Sequence, residues 1–190
     1  METVAERLYS LEEYFAFCET HEGRFEFVNG EIIEMSGETT TSNRIAGNIH
    51  FCLRGSLQDS AYELYQNAVK LKVEDGRVVR IPDFMICEGK GDAIRYTTFP
   101  LLIVEVLSES TAKIDRVDKL REYSHVSSLQ HYLIVEQTQC YMEVYKRDGD
   151  RWFVDFYNNM EEVIKLPYFD IELPLAAVYK KVIFSDATSF

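Results

Sequence analysis

"FPLLIVEVLSES", residues 99–110, is an apolar run with one carboxylate, Glu105, in its middle. Side chains alternate along a strand, so Ile103, Glu105 and Leu107 share one face and Leu102, Val104 and Val106 the other. Both faces are apolar, as in a central strand covered on each side. Glu105 therefore points at a covered surface. An unpaired charge is costly there, and such a group neutralises, pairs or binds a metal.

The chain after this strand reads "SESTAKIDRVDKLREYSHV". Its capping-type Ser and Thr residues, with Ile114, Val117, Leu120 and Tyr123 at helical spacing, predict a helix with one apolar face. "SSLQHYLIVEQ" then returns to strand, so Leu101 to Val135 forms a strand–helix–strand unit with parallel, right-handed pairing. Hairpins predict antiparallel pairs elsewhere. "RFEFVNGEIIEMSG" turns at Asn29-Gly30, and "CYMEVYKRDGDRWFVDFY" turns near Asp148-Gly149.

Ser10 and Glu13 form a capping box for a helix to about residue 19. Ile45, Ile49, Cys52, Leu53 and Leu57 mark a second helix. "AYELYQNAVKLKVE" and "RVVRIPDFMIC" read as two strands joined around Asp75-Gly76. "EGKGDAIRYTT" reads as a surface loop and "IELPLAAVYKKVIF" as a strand tip with a short helix. No repeat, low-complexity segment or linker interrupts residues 1–190. A single α/β (α+β) domain is expected, a mixed central sheet flanked by helices with added hairpins.

Composition narrows the function. The 190 residues are 46% hydrophobic and 27% charged, ordinary for a globular protein. The net charge of -12 excludes a generic nucleic-acid coat and favours solubility. Cys18, Cys52, Cys87 and Cys140 are scattered in apolar contexts, which predicts buried reduced thiols. The four histidines make no metal-ligand spacing; His50 alone falls on a helix that could approach a site. There is no signal-like run and no stretch near the ~20 apolar residues of a membrane span. A soluble cytoplasmic protein, without a membrane partner, is expected.

The strand before Glu105 repeats its oddity. In "VVRIPDFMIC", Asp83 shares a face with Ile81 and Met85, after Pro82 has removed a backbone donor. Two carboxylates at one end of adjacent strands repel each other unless protonated or bridged by a cation. With water oxygens they make the ligand set of Mg²⁺ or Mn²⁺. On the next helix Lys119 lies four residues from both Asp115 and Tyr123, on one side. Its stem can bring the ammonium over the strand end. Asp, Glu and Lys around one divalent ion is equipment for phosphodiester hydrolysis. The pattern equally allows a buried Glu105–Lys119 ion pair, with Asp83 capping the turn after Pro82.

The segments "RFEFVNGEIIEMSG", "NRIAGNIH", "IPDFMIC", "FPLLIVEVLSESTAKIDRVDKLREY" and "SSLQHYLIVEQ" together resemble the Uma2 (DUF820) family of the PD-(D/E)XK nuclease-like superfamily, closest to cyanobacterial-type members. The resemblance implies a restriction-endonuclease-like core and a Mg²⁺- or Mn²⁺-dependent endonuclease acting on DNA. It puts Asp83 and Glu105 on the motif acids and Lys119 on the displaced motif lysine, since Leu107 occupies the usual lysine place. It matches Glu26 to an acidic position that could be a further metal or water ligand. An exposed Glu26 beside Arg24 is the plainer alternative. Departures are Ser42 where members often carry His, Glu109 where proline is frequent, and Ile81 where tyrosine is frequent. Two other readings stay open: a retired nuclease fold serving binding or assembly, and an acid–base carboxylate pair of the glycosidase kind. Nucleases that cut both strands often pair subunits, so a homodimer is possible, with the hairpin 140–157 as an interface.

Overall fold

A computed structural model describes residues 7–35, 37–67, 69–89, 95–108 and 112–184. Helix α1 (Leu11–Thr20) starts on the capping box. The Ser10 side chain accepts from Glu13 N–H, and the Glu13 carboxylate accepts from Ser10 N–H. The hairpin β1 (Phe25–Val28) and β2 (Glu31–Glu34) turns at Asn29-Gly30, both left-handed at φ 50° and 97°, as that turn requires. Helix α2 (Thr40–Ser56) is capped by Thr39 and buries Ile45, Ala46, Ile49 and Leu53.

The two long strands expected next are each broken in two. The first becomes β3 (Tyr62–Gln66) and β4 (Leu71–Val73), and the second becomes β5 (Val78–Arg80) and β6 (Phe84–Glu88). β4 and β5 join the hairpin in a four-stranded sheet of order β2-β1-β5-β4. β3 and β6 enter a six-stranded sheet instead. Left-handed Asn67 (φ 58°) accompanies one break and Pro82 the other, because a proline cannot donate to a continuing ladder. Asp83 thus sits at the seam between two sheets.

The six-stranded sheet has the order β10-β9-β8-β7-β6-β3. β7 (Pro100–Val106) is buried throughout and pairs in parallel with β8 (His131–Val135); the other pairings are antiparallel. β9 (Met142–Asp148) and β10 (Arg151–Tyr157) form the expected hairpin, and β10 is the outer strand. A hairpin of β11 (Val163–Leu166) and β12 (Ile171–Pro174), unforeseen on its first strand, leads to the short helix α4 (Leu175–Val178).

One apolar cluster joins Leu102, Val104 and Val106 of β7 to Ile45, Ile49 and Leu53 of α2 and to the β11–β12 hairpin. The other face of β7 packs Ile103 and Leu107 with Met85, Tyr123, Tyr132 and Ile134. α1 covers the small sheet with Tyr14 against Phe25, Phe27 and Val79.

The segment after β7 departs from its expected face. Ile114–Lys119 is a π-helical turn that runs into helix α3 (Leu120–Ser124). It buries Asp115, Lys119, Glu122 and Tyr123, whereas Ile114 and Val117 are 38% and 57% exposed. Bonding from i to i+5 changes the helical period, so the apolar stripe no longer lines up. The face turned inward meets Glu105, and charged side chains satisfy it. The Ser110 and Thr111 caps, Glu109 and loop residues 90–94 lie outside the described residues. All four cysteines are free thiols, but only Cys87 is buried; the other three are half-exposed because their helices and loops are. Among the described residues no helix is long and apolar enough to cross a membrane.

Candidate active site

A cavity of about 340 Å³ opens where the two sheets and the π-helical turn meet. Glu26, Asp83, Glu105 and Lys119, the four residues singled out from the sequence, all line it. Glu26 comes from β1 of the small sheet. Asp83 comes from the seam before β6, Glu105 from the end of β7, and Lys119 from the π-helical turn.

Lys119 is the hub. Its Nζ lies 2.9 Å from Asp115 Oδ1, 3.0 Å from Glu105 Oε1 and 3.9 Å from Glu26 Oε1. Burial pulls its pKa down, but Glu105, Glu26 and Asp115 together push it well above the usual lysine range. It is therefore a fixed ammonium. Tyr123 Oη donates to Glu105 Oε1 at 2.9 Å. Burial pushes the Glu105 carboxyl up, and the ammonium beside it works the other way.

Asp83 accepts from Val106 N–H at 2.7 Å through Oδ2, a bond that ties the seam to the end of β7. Burial raises its pKa to about 6, against the lowering effect of that bond and of Lys119. The bland expectation of a capping role is half right: Asp83 caps a backbone donor, on the neighbouring strand.

Glu26 is 6% exposed and does not sit beside Arg24, which pairs with Glu38 instead. Its Oε2 accepts from Arg80 Nη1 at 2.7 Å and its Oε1 from Ile81 N–H at 3.2 Å. Arg80 was missed in the sequence. It also grips Glu122 through two bonds of 2.8 and 2.7 Å. The signal was present in "VVRIPD", where a basic residue interrupts an apolar run just as Glu105 does. Asp115 was read only as a neighbour of Lys119, yet it lines the cavity and is 2% exposed.

Six carboxylates line the cavity, Glu26, Glu34, Glu38, Asp83, Glu105 and Asp115, against three cations, Arg24, Arg80 and Lys119. Among the described residues no three His, Cys, Asp or Glu side chains converge tightly enough to hold an ion alone. His50 is not part of this wall; its Nδ1 lies 2.8 Å from Gln66 Oε1 and its ring packs on Phe84. Ser42 also lines the cavity. Leu107 packs in the core beside Tyr123, so no lysine at that place reaches the site.

Residues 11–176 match the Uma2 family, described as "putative restriction endonuclease". The chain belongs to the Uma2 family. Two relatives from Synechocystis sp. are both named uncharacterized proteins. With sll1609 it shares 31% identity over 143 residues, 73% of this chain and 81% of that protein. With slr1290 it shares 26% over 178 residues, 92% and 93% respectively. The fold matches an Anabaena variabilis crystal structure titled a "putative nuclease belonging to DUF820", with TM-score 0.73 and 14% identity, over 92% of this chain and 99% of that one. This Uma2 chain therefore has the nuclease-like fold expected of it.

Proposed function

We propose that the cavity is the active site of a divalent-metal-dependent endonuclease that hydrolyses phosphodiester bonds in DNA, in the cytoplasm. The observation that carries the reading is the meeting of Asp83, Glu105 and Lys119 in one cavity whose carboxylates outnumber its cations. Asp83 and Glu105 would hold Mg²⁺ or Mn²⁺. When bound, such an ion polarises the phosphate and activates a water. Lys119, kept charged by Glu105, Glu26 and Asp115, cannot take a proton from that water; its ammonium supports negative charge growing on the phosphoryl oxygens. Glu26, gripped by Arg80 and Ile81 N–H, orients this ammonium from the small sheet.

Calorimetric titration of Mn²⁺, with and without duplex DNA, tests the metal site. Saturable binding that Asp83→Asn abolishes is expected, and Mn²⁺-dependent plasmid cleavage lost in Asp83→Asn and Glu105→Gln should accompany it. A wild type that binds no Mn²⁺ under either condition would sink the reading.

One observation favours a second reading, a retired nuclease fold that serves binding or assembly. Lys119 already lies 3.0 Å from Glu105, so an ion pair occupies the place. On that reading Mn²⁺ leaves the melting temperature unchanged, and Lys119→Met lowers stability with no rate to lose.

A further inference from the structure

We propose that the protein forms a two-fold homodimer by antiparallel pairing of β10 with β10 of a second copy, continuing the six-stranded sheet across the dimer axis. β10 is an outer strand seven residues long. Its pairing with β9 runs without a shift from Arg151↔Asp148 to Tyr157↔Met142, and its sequence "RWFVDFY" contains no proline. Phe153, Val154 and Phe156 are 52%, 37% and 56% exposed. Long, regular, apolar edges are what monomeric proteins blunt with bulges, prolines or like charges.

The register decides which backbone groups face outward. Gly149-Asp150 is a two-residue loop with Gly149 at φ 59°. Arg151, Phe153, Asp155 and Tyr157 therefore exchange ladder bonds with β9. Trp152, Val154 and Phe156 turn their N–H and C=O groups to the open edge. An axis through Phe153 sets Trp152 opposite the copy's Val154, so outward donors meet outward acceptors. The same register sets Arg151 opposite the copy's Asp155, twice by symmetry, and Phe153 against itself at a close-approach position. An axis through Val154 would instead set Phe153 against Asp155 and Arg151 against the copy's Tyr157, leaving Arg151 without a carboxylate and Asp155 with only Lys146 of its own chain, 2.7 Å away.

This pattern selects the occupant. A foreign strand of either charge meets one of Arg151 and Asp155 with its like, whereas a second copy meets each with its opposite. The apolar surface also continues beyond the strand. Val117 and Leu120 line one groove with Trp152, Phe153 and Val154. Val117, which the core leaves exposed, thus lies beside the proposed interface.

Sedimentation equilibrium of the full chain tests the dimer, which should have twice the 22.1 kDa of one chain. Val154→Pro removes an N–H that only the second copy would use, and should leave a folded chain of single mass. Arg151→Asp and Asp155→Arg each place like charges opposite one another, and each alone should dimerise roughly tenfold more weakly. Mixed in equal amounts, the two variants should form heterodimers more tightly than either variant pairs with itself, because every pair facing across the axis is again opposite in sign, although Asp155→Arg gives up its pair with Lys146 of the same chain. This charge complementation decides the matter even if Val154→Pro does not fold. A wild type that sediments at single mass at its highest soluble concentration overturns the proposal. So does a dimer indifferent to Val154→Pro, or a mixture no tighter than its two components.

Discussion

The two faces of β7 solve the problem of burial differently. On one face Leu102, Val104 and Val106 meet Ile45, Ile49 and Leu53 of α2 in one apolar cluster. On the other, Glu105 lies between Ile103 and Leu107 and meets the Lys119 ammonium and the Tyr123 hydroxyl. Apolar contact is non-directional and gains with area removed from water. Buried charges lose hydration and recover it only through partners at fixed distances. The first face can be repacked with modest consequence, whereas the second holds a geometry that the chemistry needs at some cost in stability. The Glu26–Arg80–Glu122 bridge extends this second solution into the small sheet.

The sharpest break in the ionic side should come at Arg80. Arg80→Met leaves Glu26 and Glu122 buried without their cation and should cost about 4 kcal/mol in chemical denaturation. It should also weaken Mn²⁺ binding, because Glu26 is released. Leu102→Ala, on the apolar face, should cost roughly 3 kcal/mol through the cavity it opens but leave Mn²⁺ affinity unchanged. Equal effects of these two variants on Mn²⁺ affinity would erase the distinction between the faces.

Asp83 offers a change of opposite sign. Its folded pKa of about 6 lies above the ordinary aspartate value of 3.8. The folded chain thus holds a proton that the unfolded chain releases. This contribution to stability is complete below about pH 4 and lost as pH rises through about 6. At pH 8 Asp83→Asn, which keeps an oxygen for Val106 N–H, should be more stable than wild type by up to about 3 kcal/mol. The gain should vanish near pH 4, and melting curves across that range check it. The smallest effect belongs to Tyr123→Phe. Losing one hydrogen bond to a buried carboxylate should cost about 1.5 kcal/mol, measured by denaturant titration at neutral pH.

The site was legible wherever a charged residue interrupted an apolar run. Asp83 and Glu105 each break the alternation of a buried strand, and Lys119 stands at helical spacing from Asp115 and Tyr123. Arg80 breaks an apolar run in the same way and was passed over, since a base so near a motif acid draws less notice than the acid. Glu26 could not be placed from its own neighbourhood. "RFEFVNG" alternates like any half-exposed strand, and what buries Glu26 is Arg80, 54 residues away. The helix after β7 misled for a local reason: a regular period puts Val117 inward, while the π-helical turn brings Asp115, Lys119 and Glu122 there.

Local chemistry was enough to determine the Ser10 capping box, the Asn29-Gly30 turn, the buried strand at Glu105 and its parallel pairing with β8. Each depends on residues near one another in the chain, through a cap, a left-handed turn or an alternation of side chains. The tertiary structure alone decided that two long strands divide between two sheets, that Asp83 stands at their seam, and that Arg80 bridges Glu26 to Glu122. The Arg80 bridge joins the small sheet to helix α3, and such contacts are selected by what lies across the gap. A buried charge accepts whichever partner the packed elements bring within about 3 Å, and sequence periodicity carries no record of that distance.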